Sequence, residues 1–228
     1  QDTKVTLSGE LGGQLTYFIS GQGIFDMYFF IENKTPEDAV KKYHQLIGKT
    51  LLPPYWGLGW HQCKYGYEST DKLRAVLSNY TANNFPMDVL WSDIDHMYKY
   101  RDFTFDKNGS YAGLDTFVAN ELHKANRKYV PIIDAGIAIA RDSSYASFDS
   151  GLKDGLFIKS GNQQRQNKDP ISGMNGVLYG KVWPGYAAFP DFTNQKTNQW
   201  WIDNLKSFHS QVNFDGIWLD MNEVSNFC

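Results

Sequence analysis

Three apolar segments of this 228-residue chain run straight into aspartate: Met87–Trp91 into Ser92-Asp93-Ile94-Asp95, Tyr129–Ile133 into Asp134, and Phe214–Leu219 into Asp220. The last continues as Asp220-Met221-Asn222-Glu223, so a further carboxylate follows three residues later. Carboxylates that converge at neighbouring strand ends raise one another's proton affinity and cost stability unless they serve a reaction. One can act as nucleophile or base, and others accept hydrogen bonds from substrate hydroxyls. The structural alternative is an ion-pair network with Arg101, Arg141 or Lys181.

Aromatic residues gather around the same segments: Trp60 and Tyr65, Trp91, Trp183 in Val182-Trp183-Pro184-Gly185, and Trp218. The aromatic fraction of 16% would also suit a densely packed core. Set beside acids, flat rings suit a sugar site, because they stack on the apolar faces of pyranoses. Hydrolysis of a glycoside with retention uses two carboxyl groups about 5–5.5 Å apart. Glu223 falls on the turn after Asp220, where it is expected to support the site rather than donate the proton. His61, His96 and His123 share no ligand spacing, so no metal is expected. Gly21-Gln22-Gly23 lacks the third glycine of a dinucleotide loop, and no cofactor is expected.

The elements that must position these groups alternate. Leu15–Ile19 and Phe25–Ile31 flank Ser20-Gly21-Gln22-Gly23 and predict a hairpin. Thr35-Pro36-Glu37-Asp38 predicts a capped helix running to Ile47 and closed by Gly48. Strand at Tyr55–Trp60, helix from Ser69 to Tyr80, strand at Met87–Trp91, helix over Tyr111–Asn126 and strand at Tyr129–Ile133 follow. A helix over Thr193–Val212 and the strand Phe214–Leu219 complete the series. That alternation predicts parallel β/α construction. A closed barrel of this kind needs eight strands and about 250 residues, so four strands read as its first half. Residues 136–190 read as an insertion over the strand ends.

A net charge of −3 without a basic stripe gives no reason to expect nucleic acid. No apolar run is long enough to span a bilayer, and residues 1–20 do not read as a signal peptide. The two cysteines are Cys63, expected buried at the end of the first barrel strand, and Cys228, whose partner would lie downstream. Asn33, Asn79 and Asn108 head Asn-x-Ser/Thr sequons and favour a secretory route, lysosomal or extracellular.

The motifs resemble those of glycoside hydrolase family 31, the α-glucosidases. Trp218-Leu219-Asp220-Met221-Asn222-Glu223 is similar to the family's nucleophile signature. Pro53–Cys63 resembles its first barrel strand, and Asp88–Asp95 with Arg101-Asp102-Phe103-Thr104-Phe105 its second. Gly180–Gly185 with Phe189–Asn194 resembles the approach to its fourth. The resemblance implies Asp220 as nucleophile and Asp93 as a partner of glucose hydroxyls. It implies Ile94, Ile132, Trp183, Trp218 and Met221 as subsite walls, Tyr65 and Asp134 at the edge, and Glu223 as the adjacent acid. It implies the end of a β-sandwich over residues 1–34 and a partial (β/α)8 barrel, strands 1–4, over 35–228.

Two departures stand out. Ala135 follows Asp134 where many members have proline, and the family's acid/base aspartate, on a later strand, has no counterpart here. The isolated chain is therefore expected to be inactive, its partner being the rest of the same polypeptide. The implied activity is that of a retaining α-glucosidase acting on terminal α-linked glucose of oligosaccharides or glycogen- and starch-type glucans. Asp-Met-Asn-Glu resembles α-glucosidase rather than α-xylosidase members. A transglucosidase or lyase on this scaffold, or a non-catalytic carbohydrate-binding homologue, stands as the alternative.

Overall fold

The computed structural model describes residues 3–7, 15–19, 26–31, 35–140, 143–160, 174, 176–223 and 226–227. The chain separates into two compact units, residues 1–52 and 53–228.

In the first unit, β1 (Thr3–Leu7) pairs antiparallel with β2 (Leu15–Ile19), Thr3 opposite Ile19. The expected hairpin of β2 with residues 25–31 does not form: residues 26–31 carry no strand, and Ser20–Phe25 lie outside the described residues. Met27–Ile31 is continuously apolar and lacks the alternation that commits one face of a ribbon. The helix expected next is present as α1 (Pro36–Ile47). Thr35 caps it by accepting the Asp38 N–H, and Gly48 ends it at φ 88°.

The second unit holds one parallel sheet, ordered β3 (His61–Gln62), β4 (Val89–Ser92), β5 (Lys128–Asp134) and, last in the chain, β9 (Trp218–Asp220). Helices connect them: α2 (Thr70–Ala82) precedes β4. Before β5 comes α3 (Leu114–Phe117), which continues through a π-turn, Val118–Leu122, and a 3-10 turn, His123–Ala125. This is half of a β/α barrel in pattern, as the sequence suggests.

The first barrel strand starts later than expected. Tyr55–Leu58 is a 3-10 turn entered from Pro54, with the Gly57 N–H on the Pro54 carbonyl at 2.8 Å. Gly59 then approaches Asp88 so closely that a Cβ would lie 2.2 Å from its Oδ2. That carboxylate accepts the Trp60 N–H at 2.8 Å. Two prolines and two glycines in seven residues favour a turn over a ladder.

Strand β9 also starts late, because Asp215 is a staple. Its carboxylate accepts from Tyr129 N (3.0 Å), His123 Nε2 (2.8 Å) and Lys128 Nζ (3.0 Å). Burial alone would raise the Asp215 pKa, but these donors outweigh it and hold it below the ordinary value. Between β5 and β9, residues 136–190 form elements of their own. These are β6 (Ile137–Ala138), α4 (Ala146–Lys153), β7 (Tyr179–Val182) and β8 (Gly185–Ala188). The three strands make an antiparallel sheet ordered β6-β8-β7. The helix α5 (Gln195–Gln211), capped by the Asn194 side chain, leads into β9. Among the described residues no helix is long and apolar enough to cross a membrane.

The main core lies between sheet and helices. Leu73 and Leu77 of α2, Leu114 and Phe117 of α3, Leu90, Tyr129 and Ile133 of the sheet, and Phe208 of α5 pack together. Alternate residues on the opposite face of the strands are thereby left to point into the barrel interior.

Candidate active site

Parallel pairing fixes where the acids go. In the β5–β9 register Ile132 faces Trp218, Ile133 faces Leu219 and Asp134 faces Asp220. One strand over, β4 pairs Ser92 with Pro131, and Asp93 follows immediately. All three aspartates thus sit at the C-terminal end of the sheet, where such folds place their chemistry.

The backbone orients two of the carboxylates alike. The Ile94 N–H donates to Asp93 Oδ1 at 2.7 Å, and the Met221 N–H donates to Asp220 Oδ1 at 2.8 Å. Met221 adopts φ 58°, a left-handed conformation costing a non-glycine residue about 1–2 kcal/mol. The chain therefore turns sharply just after Asp220. Such strain concentrates at functional sites.

The electrostatics tie the three together. Burial, then the charges of Asp220 and Asp93, push the Asp134 carboxyl up to about 7. Burial also raises Asp93, opposed by the Ile94 N–H and reinforced by Asp95 and Asp220. Asp95 in turn accepts the Gly66 N–H at 2.9 Å, tying the loop after β3 to the loop after β4.

Beneath Asp134 lies an acid to which sequence reasoning assigned no role. Asp102 is buried, and its Oδ1 accepts the Asp134 N–H at 2.7 Å. Burial, then the Asp134 charge, holds the Asp102 carboxyl well above the usual range. Asp102 Oδ2 and Asp134 Oδ1 are both buried without a hydrogen-bond partner among the described residues. The supporting loop is strained, with Lys99, Tyr100 and Phe103 at φ 54°, 55° and 60°. It is held by Thr104 Oγ1 on the Arg101 carbonyl (2.6 Å) and Tyr145 OH on the Asp102 carbonyl (3.0 Å). In the sequence Asp102 stands within Arg101-Asp102-Phe103-Thr104-Phe105, part of the stretch that resembles the family's second barrel strand, with no role attached to it.

Basic groups go elsewhere. Arg101 donates to Ser144 Oγ at 2.8 Å and lies over the Tyr145 ring, and Lys181 lies over Tyr186. Arg141 falls outside the described residues. Among the described residues the ion-pair alternative is not realised through Arg101 or Lys181.

Apolar and aromatic walls surround the acids. Ile94 and Ile132 are buried with Met97, and Trp218 packs on them and against Trp91 at 5.8 Å between ring centres. Met221 packs on Val182, Ala187 and Phe189 of the small sheet region. Tyr65 stacks on Trp183 at 6.4 Å, and Phe227 meets Trp183 edge-on at 5.0 Å. Ile94, Ile132 and Trp218 thus share one cluster, Met221 packs in another, and Tyr65 and Trp183 form a stacked pair of their own.

Glu223 is exposed in the turn after Met221. Trp60 does not join the group: it precedes β3, at the opposite end of the sheet, where its indole N–H donates to Tyr80 OH at 2.9 Å. Cys63 is exposed, not buried as expected, because the two-residue β3 ends just before it. Partial desolvation of its sulfur and the Asp93 and Asp95 charges raise the thiol to about 11. His96 is buried, donates from Nε2 to the Ile132 carbonyl at 3.1 Å and stacks on Phe208; it is part of the frame under the site.

Comparison with known proteins bears on the fold and the family. Residues 50–228 match the glycosyl hydrolases family 31 TIM-barrel domain. The chain is 45% identical to lysosomal alpha-glucosidase of Mus musculus over 214 residues, covering 93% of the chain and 21% of that protein. It is 40% identical to alpha-xylosidase 1 of Arabidopsis thaliana, covering 95% and 22%. The solved glucosidase II alpha subunit superposes with a TM-score of 0.71 at 29% identity, over 85% of this chain and 19% of that one. A family 31 alpha-glucosidase from Bacteroides thetaiotaomicron gives 0.66 at 31% identity, over 85% and 30%. The chain spans about a fifth of the length of the curated relatives it matches. With its half-barrel and convergent aspartates, the chain belongs to glycosyl hydrolase family 31, and residues 50–228 form part of that family's TIM-barrel domain.

Proposed function

We propose that the polypeptide containing this chain is a retaining α-glucosidase that removes terminal α-linked glucose through a covalent intermediate on Asp220. The observation that carries the reading is the terminal register pair Asp134–Asp220 with Asp93 one strand away, walled by Ile94, Ile132, Trp218 and Met221. Relatives named as alpha-glucosidases support the glucosyl specificity.

Asp220 attacks the anomeric carbon as the glycosidic C–O bond breaks, and the leaving oxygen takes a proton from an acid on a later strand of the same polypeptide. Water then attacks the glycosyl ester, giving its proton back to that group and releasing glucose with the original anomeric configuration. Asp93 accepts hydrogen bonds from glucose hydroxyls. Asp134, holding its proton up to about pH 7, can also donate one. Trp183 and Tyr65 form the rim that stacks on the sugar, and Glu223 orients the turn after the nucleophile.

The route is secretory, ending in a lysosomal or extracellular compartment; the exposed sequon asparagines Asn79 and Asn108 and the lysosomal relatives support it. The test is proton NMR of the first product formed from an aryl α-glucoside by the complete polypeptide. α-Glucose is expected first. Initial β-glucose, or transfer products without free glucose, would sink the hydrolytic retaining reading. The isolated 228-residue chain is expected to show no turnover.

A further inference from the structure

We propose that Asn79 carries an N-linked glycan whose first N-acetylglucosamine seats in the apolar cavity beside it. The inference rests on the secretory part of the preceding reading and not on the reaction.

A cavity of about 510 Å³ is lined by Trp60, Asn79, Tyr80, Asn83, Phe85 and Pro86. It lies away from the aspartates, because Trp60 precedes β3 and Phe85-Pro86 precede β4. Trp60 and Phe85 are 55% and 64% exposed, leaving two large rings in water side by side with a sequon. Asn79-Tyr80-Thr81 occupies the last turn of α2, and the Asn79 side chain is exposed there.

The cavity is built rather than accidental. The Trp60 indole is fixed by Tyr80 OH, which itself donates to Gln62 Oε1. Asn84 takes φ 55° and donates its N–H to the Thr81 carbonyl, while the Phe85 N–H reaches back to the Tyr80 carbonyl at 3.0 Å. That turn returns Phe85 to the helix end carrying Asn79. Asn83, whose Nδ2 donates to the Asn79 carbonyl at 2.9 Å, places a polar group at the rim.

The chemistry of the occupant follows. N-acetylglucosamine offers an apolar ring face and an acetamide methyl to the aromatic floor, with hydroxyls at its edge for water and Asn83. Its covalent tether supplies a high effective concentration, so weak stacking suffices to keep it seated. The linkage forms when Asn79 Nδ2 attacks C1 of a lipid-pyrophosphate-linked oligosaccharide. The N–C1 bond forms, the C1–O bond to pyrophosphate breaks, and the amide nitrogen loses one proton.

The experiment takes the protein from its own source, maps glycopeptides, and measures release of the Asn79 glycan by peptide N-glycosidase from folded and urea-unfolded protein and from the Phe85→Ser variant. Occupied Asn79 is expected, with release from the folded wild type about tenfold slower than from F85S, corresponding to about 1.4 kcal/mol of packing. The unfolded wild type and unfolded F85S should release it equally fast. An unmodified Asn79 beside a modified Asn108 would overturn the site. A chain bearing no glycan at all would overturn both the site and the secretory route. Equal release from folded wild type and folded F85S would overturn the seating, and if F85S does not fold, equal release from folded and unfolded wild type does so.

Discussion

The Asp134 N–H donates to Asp102 Oδ1 at 2.7 Å, so the candidate site stands on a second, fully buried carboxyl group. Burial, then the Asp134 charge, raises the Asp102 carboxyl well above the usual carboxylate range. It acts as an acceptor for the strand end.

Asp102→Asn therefore keeps the acceptor and the volume, and it should leave stability within about 1 kcal/mol of wild type. Asp102→Ala leaves a buried N–H unpaired and should cost about 1–3 kcal/mol, more if the cavity does not close. Urea unfolding of the two variants checks this. Equal losses for both would show that the acceptor at Asp102 does not matter.

Asp134 gives a pH dependence of definite sign. Its folded-state pKa of about 7 lies above the ordinary value of 3.8, so the folded chain binds the extra proton between these pH values. Raising the pH through that window destabilises the fold, by up to about 1.4 kcal/mol per pH unit. Asp134→Asn removes this slope and should gain stability relative to wild type as pH rises from 4 to 7. Parallel unfolding curves across the window would contradict it.

His96 works in the opposite direction. Burial lowers it from 6.5 to about 4, so the unfolded chain takes up the proton first as pH falls. Stability is lost on acidification between these values. His96→Gln, which keeps a donor for the Ile132 carbonyl, should flatten that loss in acid unfolding. Nitrogen-15 NMR at pH 7 should find the wild-type ring neutral, with its proton on Nε2. An imidazolium signal there would refute the assignment.

Much of this was legible in the residues. Parallel construction followed from apolar runs alternating with capped helices, and Asp93, Asp134 and Asp220 converged because each ended such a run. Positions decided by tertiary pairing were not legible. Asp215 looks like part of the last strand, yet its three donors make it a staple before β9. Trp60 looks like a neighbour of Tyr65, but the close approach of Gly59 to Asp88 puts it at the other end of the sheet. Asp102 carries no periodic signal, because a left-handed loop, rather than a strand, delivers it beneath Asp134.

The central claim is that Asp220 is the nucleophile. A mechanism-based fluorinated α-glucosyl label should be trapped on the complete polypeptide, digested and sequenced by mass spectrometry. The account predicts the sugar on the peptide containing Trp218-Leu219-Asp220-Met221, with Asp220→Asn abolishing both label and turnover. A label on Asp93, Asp134 or Glu223 instead, with Asp220 free, would contradict it.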